Sequence, residues 1–247
     1  MGIQQNLHTM KNKKILLGLL AGIVMVSCSS DENETSNGND NLRIVAKASY
    51  SGNTGRSANA VAISDFKINL KEIEFELDDD FYDDDDDDYG DGFYGDDDEF
   101  ELSGPFELDL LSGQTTITSI NIPNGIYEEV EFKMARNNNS NSELFNKSVL
   151  IKGTIGLTPF IFWHNIDEDF EIDYEDAGQN LVIADNSATL VINFNLDAVL
   201  ANVDLSNATD DNGDGLIEIS PTDNDGNRSL ANTIKDKIEE YTDLLDD

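Results

Sequence analysis

This chain has one cysteine, one histidine beyond its first ten residues, and no apolar run long enough to cross a bilayer. A lone thiol cannot close an internal disulfide, so the fold must be held by its core. In the mature chain, after an export signal over 1–27 is removed, a lone His164 excludes any metal site built on two histidines. The chain has no Gly-x-Ser-x-Gly elbow, no phosphate loop and no dinucleotide fingerprint. Two carboxylates can serve a glycosidase, but among 51 acids that possibility carries no information. The expectation is therefore a non-catalytic chain. Bases are scarce as well: 15 Lys and Arg stand against 51 Asp and Glu, for a formal charge of −36. Such a chain repels phosphate backbones, which argues against nucleic acid, and it repels anionic lipid head groups too. Cations, basic proteins and neutral glycans stay open as partners.

The cysteine has a telling position. Lys11, Lys13 and Lys14 precede an uncharged apolar run over residues 15–26, and Ser27 and Cys28 close it. A basic start, a short apolar stretch and a small residue before the cut describe an export signal over 1–27. The run is shorter than the roughly 20 residues a spanning helix needs. A cysteine as the first residue after the cut resembles the bacterial lipoprotein signal, although Met25 stands at −3 where leucine is usual. That resemblance implies lipidation of Cys28 and attachment to a membrane through acyl chains. The alternative is an ordinary secretory signal with an incidental cysteine. Cleavage before Cys28 removes three lysines and no acid, taking the charge from −36 to −39. Asp31, Glu32 and Glu34 then lie in a flexible, acidic tether over 28–41. An acidic tract there resembles the surface-export signal of Bacteroidota lipoproteins. The expectation is an outer-membrane lipoprotein at the cell surface, with the periplasmic face as the alternative.

The rest, 42–247, reads as one domain made mainly of strands. Leu42, Ile44 and Ala46 alternate with Arg43, Val45 and Lys47. Phe66, Ile68 and Leu70 share a face, and Ile73, Phe75 and Leu77 resume with the parity shifted by one. A bulge near Lys71 and Glu72 keeps both sets on the core. Further alternating sets are Phe106, Leu108 and Leu110; Val130, Phe132 and Met134; Val149 and Ile151; Phe160 and Phe162; Phe170, Ile172 and Tyr174; and Leu190, Ile192, Phe194 and Leu196. Short strands at this spacing predict an all-β, antiparallel β-sandwich of immunoglobulin or transthyretin-like type. A short helical turn is expected over 197–202. Leu230, Ile234, Ile238, Tyr241 and Leu245 predict a C-terminal helix over 229–245, with Ser229 as its N-cap.

Residues 78–101 hold 15 of the 51 acids, including six consecutive aspartates at 83–88. Like charge at that density keeps a segment from folding alone, so a disordered, solvated insertion between strands is expected. Interleaved Phe81, Tyr82, Tyr89, Phe93, Tyr94 and Phe100 leave open a cation-responsive loop. The strand stretches at 64–77 and 106–113, with the turn-strand at 123–134, resemble an uncharacterised family of bacterial lipoprotein domains, domain of unknown function 4382. The resemblance covers roughly 42–200, with the acidic block as an insertion. It implies a β-sandwich in an exported lipoprotein and brings no catalytic residues. In its Pro-x-Gly-x-Tyr turn, Pro123 fixes φ, Gly125 permits φ > 0, and Tyr127 is expected to pack across the turn.

The strongest candidate site is the stretch at 210–218, which resembles the start of an EF-hand-type calcium loop. Asp210, Asn212 and Asp214 would give side-chain oxygens at positions 1, 3 and 5. Gly215 would make the sharp turn at position 6, and Leu216 would offer its carbonyl at position 7. Position 12 is Pro221, where a bidentate glutamate belongs, and Glu218, Asp223 or Asp225 are the substitutes in reach. A calcium ion here would be structural, with weak affinity on the order of 0.1–1 mM. The competing reading is a Gly/Asn/Asp turn leading into a strand. A second candidate is Trp163, beside Phe160, Phe162, His164 and Asn165. On the alternation, Trp163 faces away from Phe160 and Phe162, where it would stack on a sugar ring or pack under a loop. Two function classes follow: a binding or structural envelope protein that takes calcium, or a carbohydrate-binding accessory lipoprotein, with an envelope protein or a glycan as the partner.

Overall fold

Alternation of apolar residues over short spans produces strands throughout. A computed structural model describes residues 40–52, 60–78, 99–173, 181–184 and 188–246. These all belong to one compact unit, Ser36–Asp247. The export signal, Cys28, most of the tether and most of the acidic insertion lie outside the described residues.

The architecture is all-β and sandwich-like. The smaller sheet is built from β1 (Leu42–Ala48), β4 (Thr115–Ile120), β10 (Ala188–Phe194) and β12 (Thr242–Asp246), in the order β12-β10-β1-β4. The larger sheet holds β2 (Val61–Leu77), β3 (Glu99–Asp109), β5 (Gly125–Met134), β6 (Val149–Ile155), β7 (Thr158–His164), β8 (Glu168–Asp173), β9 (Leu181–Ile183) and β11 (Ile217–Ile219). Not every pair is antiparallel: β1 runs parallel to β10, and β11 parallel to β7. Both joins link strands distant in sequence, a relation that turn signals between neighbouring strands do not reveal.

The long β2 organises the larger sheet. Its second half pairs with β3 and β5 on opposite edges, and its first half pairs with β6 on the same edge as β5. The register shifts between Leu70 and Glu72 against both β3 and β5, which is the bulge expected from the parity change. As a result Phe66, Ile68, Leu70, Ile73, Phe75 and Leu77 are all buried. The two sheets meet through Phe194, whose ring stands edge-on to Phe66 at 5.9 Å and to Phe132 at 6.4 Å.

Several boundaries depart from the sequence expectation. β3 begins at Glu99, so the last three residues of the predicted insertion are strand, paired to Glu74, Phe75 and Glu76. The expected turn at 197–202 is α1 (Leu196–Ala201), capped by the Asn195 side chain. The C-terminal helix α2 spans Arg228–Glu240 and stops well short of 245. Leu245 pairs with Val191 in β12 instead, because the open edge of β10 offers backbone partners. Ser229 is not the N-cap; Asn227 is, and its side chain makes no capping bond because its oxygen accepts from Thr209 N and its amide donates to Thr209 O and Glu218 O. Tyr127 is wholly buried and donates to the Pro123 carbonyl, as expected for a residue packed across the turn. Gly125 does not adopt positive φ; it is the buried first residue of β5, paired with Ile183.

Candidate calcium loop and its surroundings

A 3₁₀ turn at Leu205–Asn207 leads into the loop at 210–216. There the backbone winds around its own side-chain oxygens. Asp210 Oδ1 accepts from Gly213 N (2.8 Å) and Asp214 N (3.2 Å), and its Oδ2 accepts from Gly215 N (2.9 Å). Asn212 Oδ1 accepts from Asp214 N, and Asp214 Oδ1 from Leu216 N, each at 2.9 Å. Gly213 and Gly215 take φ of 75° and 88°, which L side chains rarely adopt. The three residues placed at positions 1, 3 and 5 therefore share one tight coil, with their oxygens facing its amides.

The chain then returns to the loop. After β11, Asp223 and Asp225 are 2 % and 0 % exposed. Asp225 lies across the coil, accepting from Asn212 N (3.3 Å) and Glu218 N (2.8 Å). Asp223 accepts from Ser220, Asp225 and Asn227 amides. Among the described residues, no lysine or arginine ion-pairs with Asp210, Asp214, Asp223 or Asp225. Buried charge without a cationic partner is costly unless amides or a metal offset it. Here backbone amides reach all four carboxylate oxygens of Asp223 and Asp225.

Of the three residues in reach of position 12, Asp225 bonds to the coil at Asn212 N, whereas the Glu218 side chain is engaged elsewhere. Glu218 Oε1 accepts from Trp163 Nε1 (3.1 Å) and Ser220 Oγ (3.2 Å), a consequence of β11 pairing alongside β7. Trp163 is half-buried. Its indole N–H is held by Glu218, and the Lys147 ammonium stands over its ring at 5.8 Å from the centroid. The Glu218 bond ties β7 to β11 and Lys147 stands on the ring face a sugar would use, so the geometry favours packing over stacking at Trp163. His164 ends β7 buried. Its Nε2 lies 3.4 Å from Asn232 Oδ1, and burial holds its pKa below the ordinary value.

A second feature arises only from the pairing of strands. Glutamates at the outward positions of four strands fall into register: Glu101 opposite Glu74, Glu74 opposite Glu131, and Glu131 opposite Glu171. The next row aligns Glu99, Glu76, Glu129 and Asp173. Like charges directly opposite destabilise a sheet. Burial, then Glu99, Glu131 and Glu101, push Glu74 up to about 7, and burial, then Asp169, raises Glu131. Among the described residues, only Glu129, Glu131 and Glu171 bring three acidic, imidazole or thiol ligand atoms within 4.8 Å of one another. The signal was present as repeated Glu-apolar alternation, but only strand register shows that the rows align.

No family model, no curated protein and no solved structure matches the chain. Among the described residues no helix is long and apolar enough to cross a membrane.

Proposed function

We propose that the chain is a non-catalytic envelope lipoprotein, anchored through Cys28 and presented on the outer membrane, whose β-sandwich domain takes a structural calcium ion in the loop at 210–216. The observation that carries this reading is the return of the buried Asp225 carboxylate across a coil already lined by Asp210, Asn212 and Asp214. Asp225 supplies the closing carboxylate that Pro221 cannot. The Leu216 carbonyl and water would complete an all-oxygen shell of the kind calcium prefers. Asp210, Asp214 and Asp225 do not stand within metal-cluster distance as placed, so binding would draw the coil inward. The export signal and the acidic tether support the placement, and the family resemblance of the strand motifs is in keeping with it.

The test is a thermal melt of the full chain with and without calcium. At 10 mM calcium and a Kd near 1 mM, linkage gives about 1.4 kcal/mol, or a rise of roughly 3–6 °C. The rise should disappear in D225N. An unchanged melting temperature would leave the loop as an amide-stabilised turn. Labelling with a palmitate analogue, lost in Cys28→Ser, tests the anchor.

A further inference from the structure

A groove of about 450 Å³ opens at the β2 bulge, within the size range of small-ligand sites. Three of the twelve Lys and Arg that follow Cys28 line it: Lys71, Lys133 and Arg136. Only one carboxylate, Asp167, lines it with them. In a chain this acidic, such a gathering of bases in one concavity is the opposite of what the composition leads one to expect.

The backbone explains the concavity. Lys71 sits at the register break of β2, and Gly104 packs against that bulge so closely that a Cβ there would lie 2.7 Å from the Leu70 and Lys71 carbonyls. Pro105 follows through a cis peptide bond and lines the groove. The wall carrying Arg136 is held on both sides. Asn69, buried beneath, donates to the Ala135 carbonyl at 2.8 Å, and Asn137 donates to Asn69 Oδ1 and to Glu107 Oε2, each at 3.0 Å. Asn137 Oδ1 in turn accepts from Asn139 N at 2.7 Å, which sets the lip. The groove is therefore pre-formed, which lowers the entropy lost on binding.

Its chemistry is mainly that of hydrogen-bond donors, with Asp167 the one carboxylate among them. Lys71 is ion-paired to Glu72 at 2.8 Å, and Lys133 to Asp169. Arg136 is exposed and, among the described residues, has no ion-pair partner, so its guanidinium is the uncompensated charge. A guanidinium presents a planar fork suited to a carboxylate. The exposed Asn138 and Asn139 stand beside it and can bond hydroxyls. No aromatic side chain lines the groove, so a flat apolar ligand finds no platform. We propose that this groove binds an acidic sugar, with Arg136 holding the carboxylate and Lys71, Asn138 and Asn139 holding ring hydroxyls. The sugar is either free or a residue of a glycan. This proposal does not rest on calcium binding at 210–216.

The test is a titration of the isotope-labelled full chain by NMR, in EDTA so that calcium cannot bridge carboxylates. The probes are galacturonate, trigalacturonate and neutral galactose. The proposal expects saturable shifts of the Asn138 and Asn139 side-chain amides with either acid, at a Kd of about 1 mM, and binding of galactose at least about tenfold weaker. Arg136→Gln should weaken acid binding at least about tenfold while leaving the melting temperature unchanged, and Arg136→Lys should weaken it less. Trigalacturonate binding much tighter than galacturonate identifies a glycan as the source, and equal affinity identifies the free sugar. No saturation by either acid up to about 50 mM, equal binding of galactose, or an unaffected Arg136→Gln variant would overturn the proposal.

Discussion

Replacing Glu74 by glutamine should stabilise the domain, and only above a definite pH. Glu74 is half-buried on β2 with Glu101 opposite it on one side and Glu131 on the other. Burial, then Glu99 by its charge and hydrogen bond, then Glu131 and Glu101 push it from an ordinary 4.5 up to about 7. The folded state therefore holds this proton more tightly than the unfolded chain does. The resulting stabilisation is complete below pH 4.5 and is lost as pH rises through about 7. The whole difference between 4.5 and 7 corresponds to about 3 kcal/mol. Solvent screening of a half-exposed group reduces that to about 1 kcal/mol. Two opposed like-charge pairs, at about 0.2–1 kcal/mol each, give a similar figure. E74Q, which is neutral at every pH, should thus be more stable than the parent by about 1 kcal/mol at pH 8. The gain should shrink through pH 6.5 and vanish near pH 4.5. Urea unfolding at those three values measures it. A variant no more stable at pH 8, or a gain that does not shrink with acid, would refute the reasoning.

Glu143 should behave with the opposite sign. Hydrogen bonds from Lys152 and Lys67 hold it down to about 2, so its contribution is present above pH 4.5 and lost as pH falls through 2. Its side chain is half exposed, so E143Q should cost only about 0.5 kcal/mol at pH 6 and nothing near pH 2, read by the same urea series. Phe194→Ala removes the ring that joins the two sheets and should cost about 3–5 kcal/mol in equilibrium unfolding. Gly153→Ala would place a Cβ 2.0 Å from the Ala62 carbonyl, in the middle of the β2–β6 pairing. Circular dichroism melts should show it destabilised by about 3 kcal/mol or more.

How much of this could be read in advance varies with the element. The parity change in β2 showed directly as a shift in apolar spacing, and the bulge follows from it. Alternation marks the buried positions Val130, Phe132 and Met134 of β5 and Phe160 and Phe162 of β7, whereas β10 buries both faces, Val191 and Asn193 included, which alternation does not reveal. Leu245 fits helical spacing from Tyr241 as well as it fits a strand, and only the unpaired edge of β10 decides between them. Ser229 is a good capping residue by type, but the chain turns into the helix at Asn227, whose amide is already bound to the Thr209 and Glu218 backbone. At the candidate site, the coil at 210–216 was legible as a motif. Asp225 was one of three substitutes in reach for position 12, and which of the three meets the coil was not legible, because the return of Asp225 depends on the turn after β11 and on no local pattern. The glutamate rows and the Arg136 groove are both products of register between strands far apart in sequence. Lys71 and Lys133 look like ordinary solvent-facing positions until β2 and β5 are paired.

The measurement that bears most directly on the account is a calorimetric calcium titration of the full chain, beside a variant lacking residues 79–98 and the double variant D210A/D225A. A calcium site in the loop predicts saturable heat with a Kd on the order of 0.1–1 mM that survives the deletion and is lost in the double variant. No heat in the full chain would contradict it. So would heat that disappears with the acidic insertion and persists in D210A/D225A.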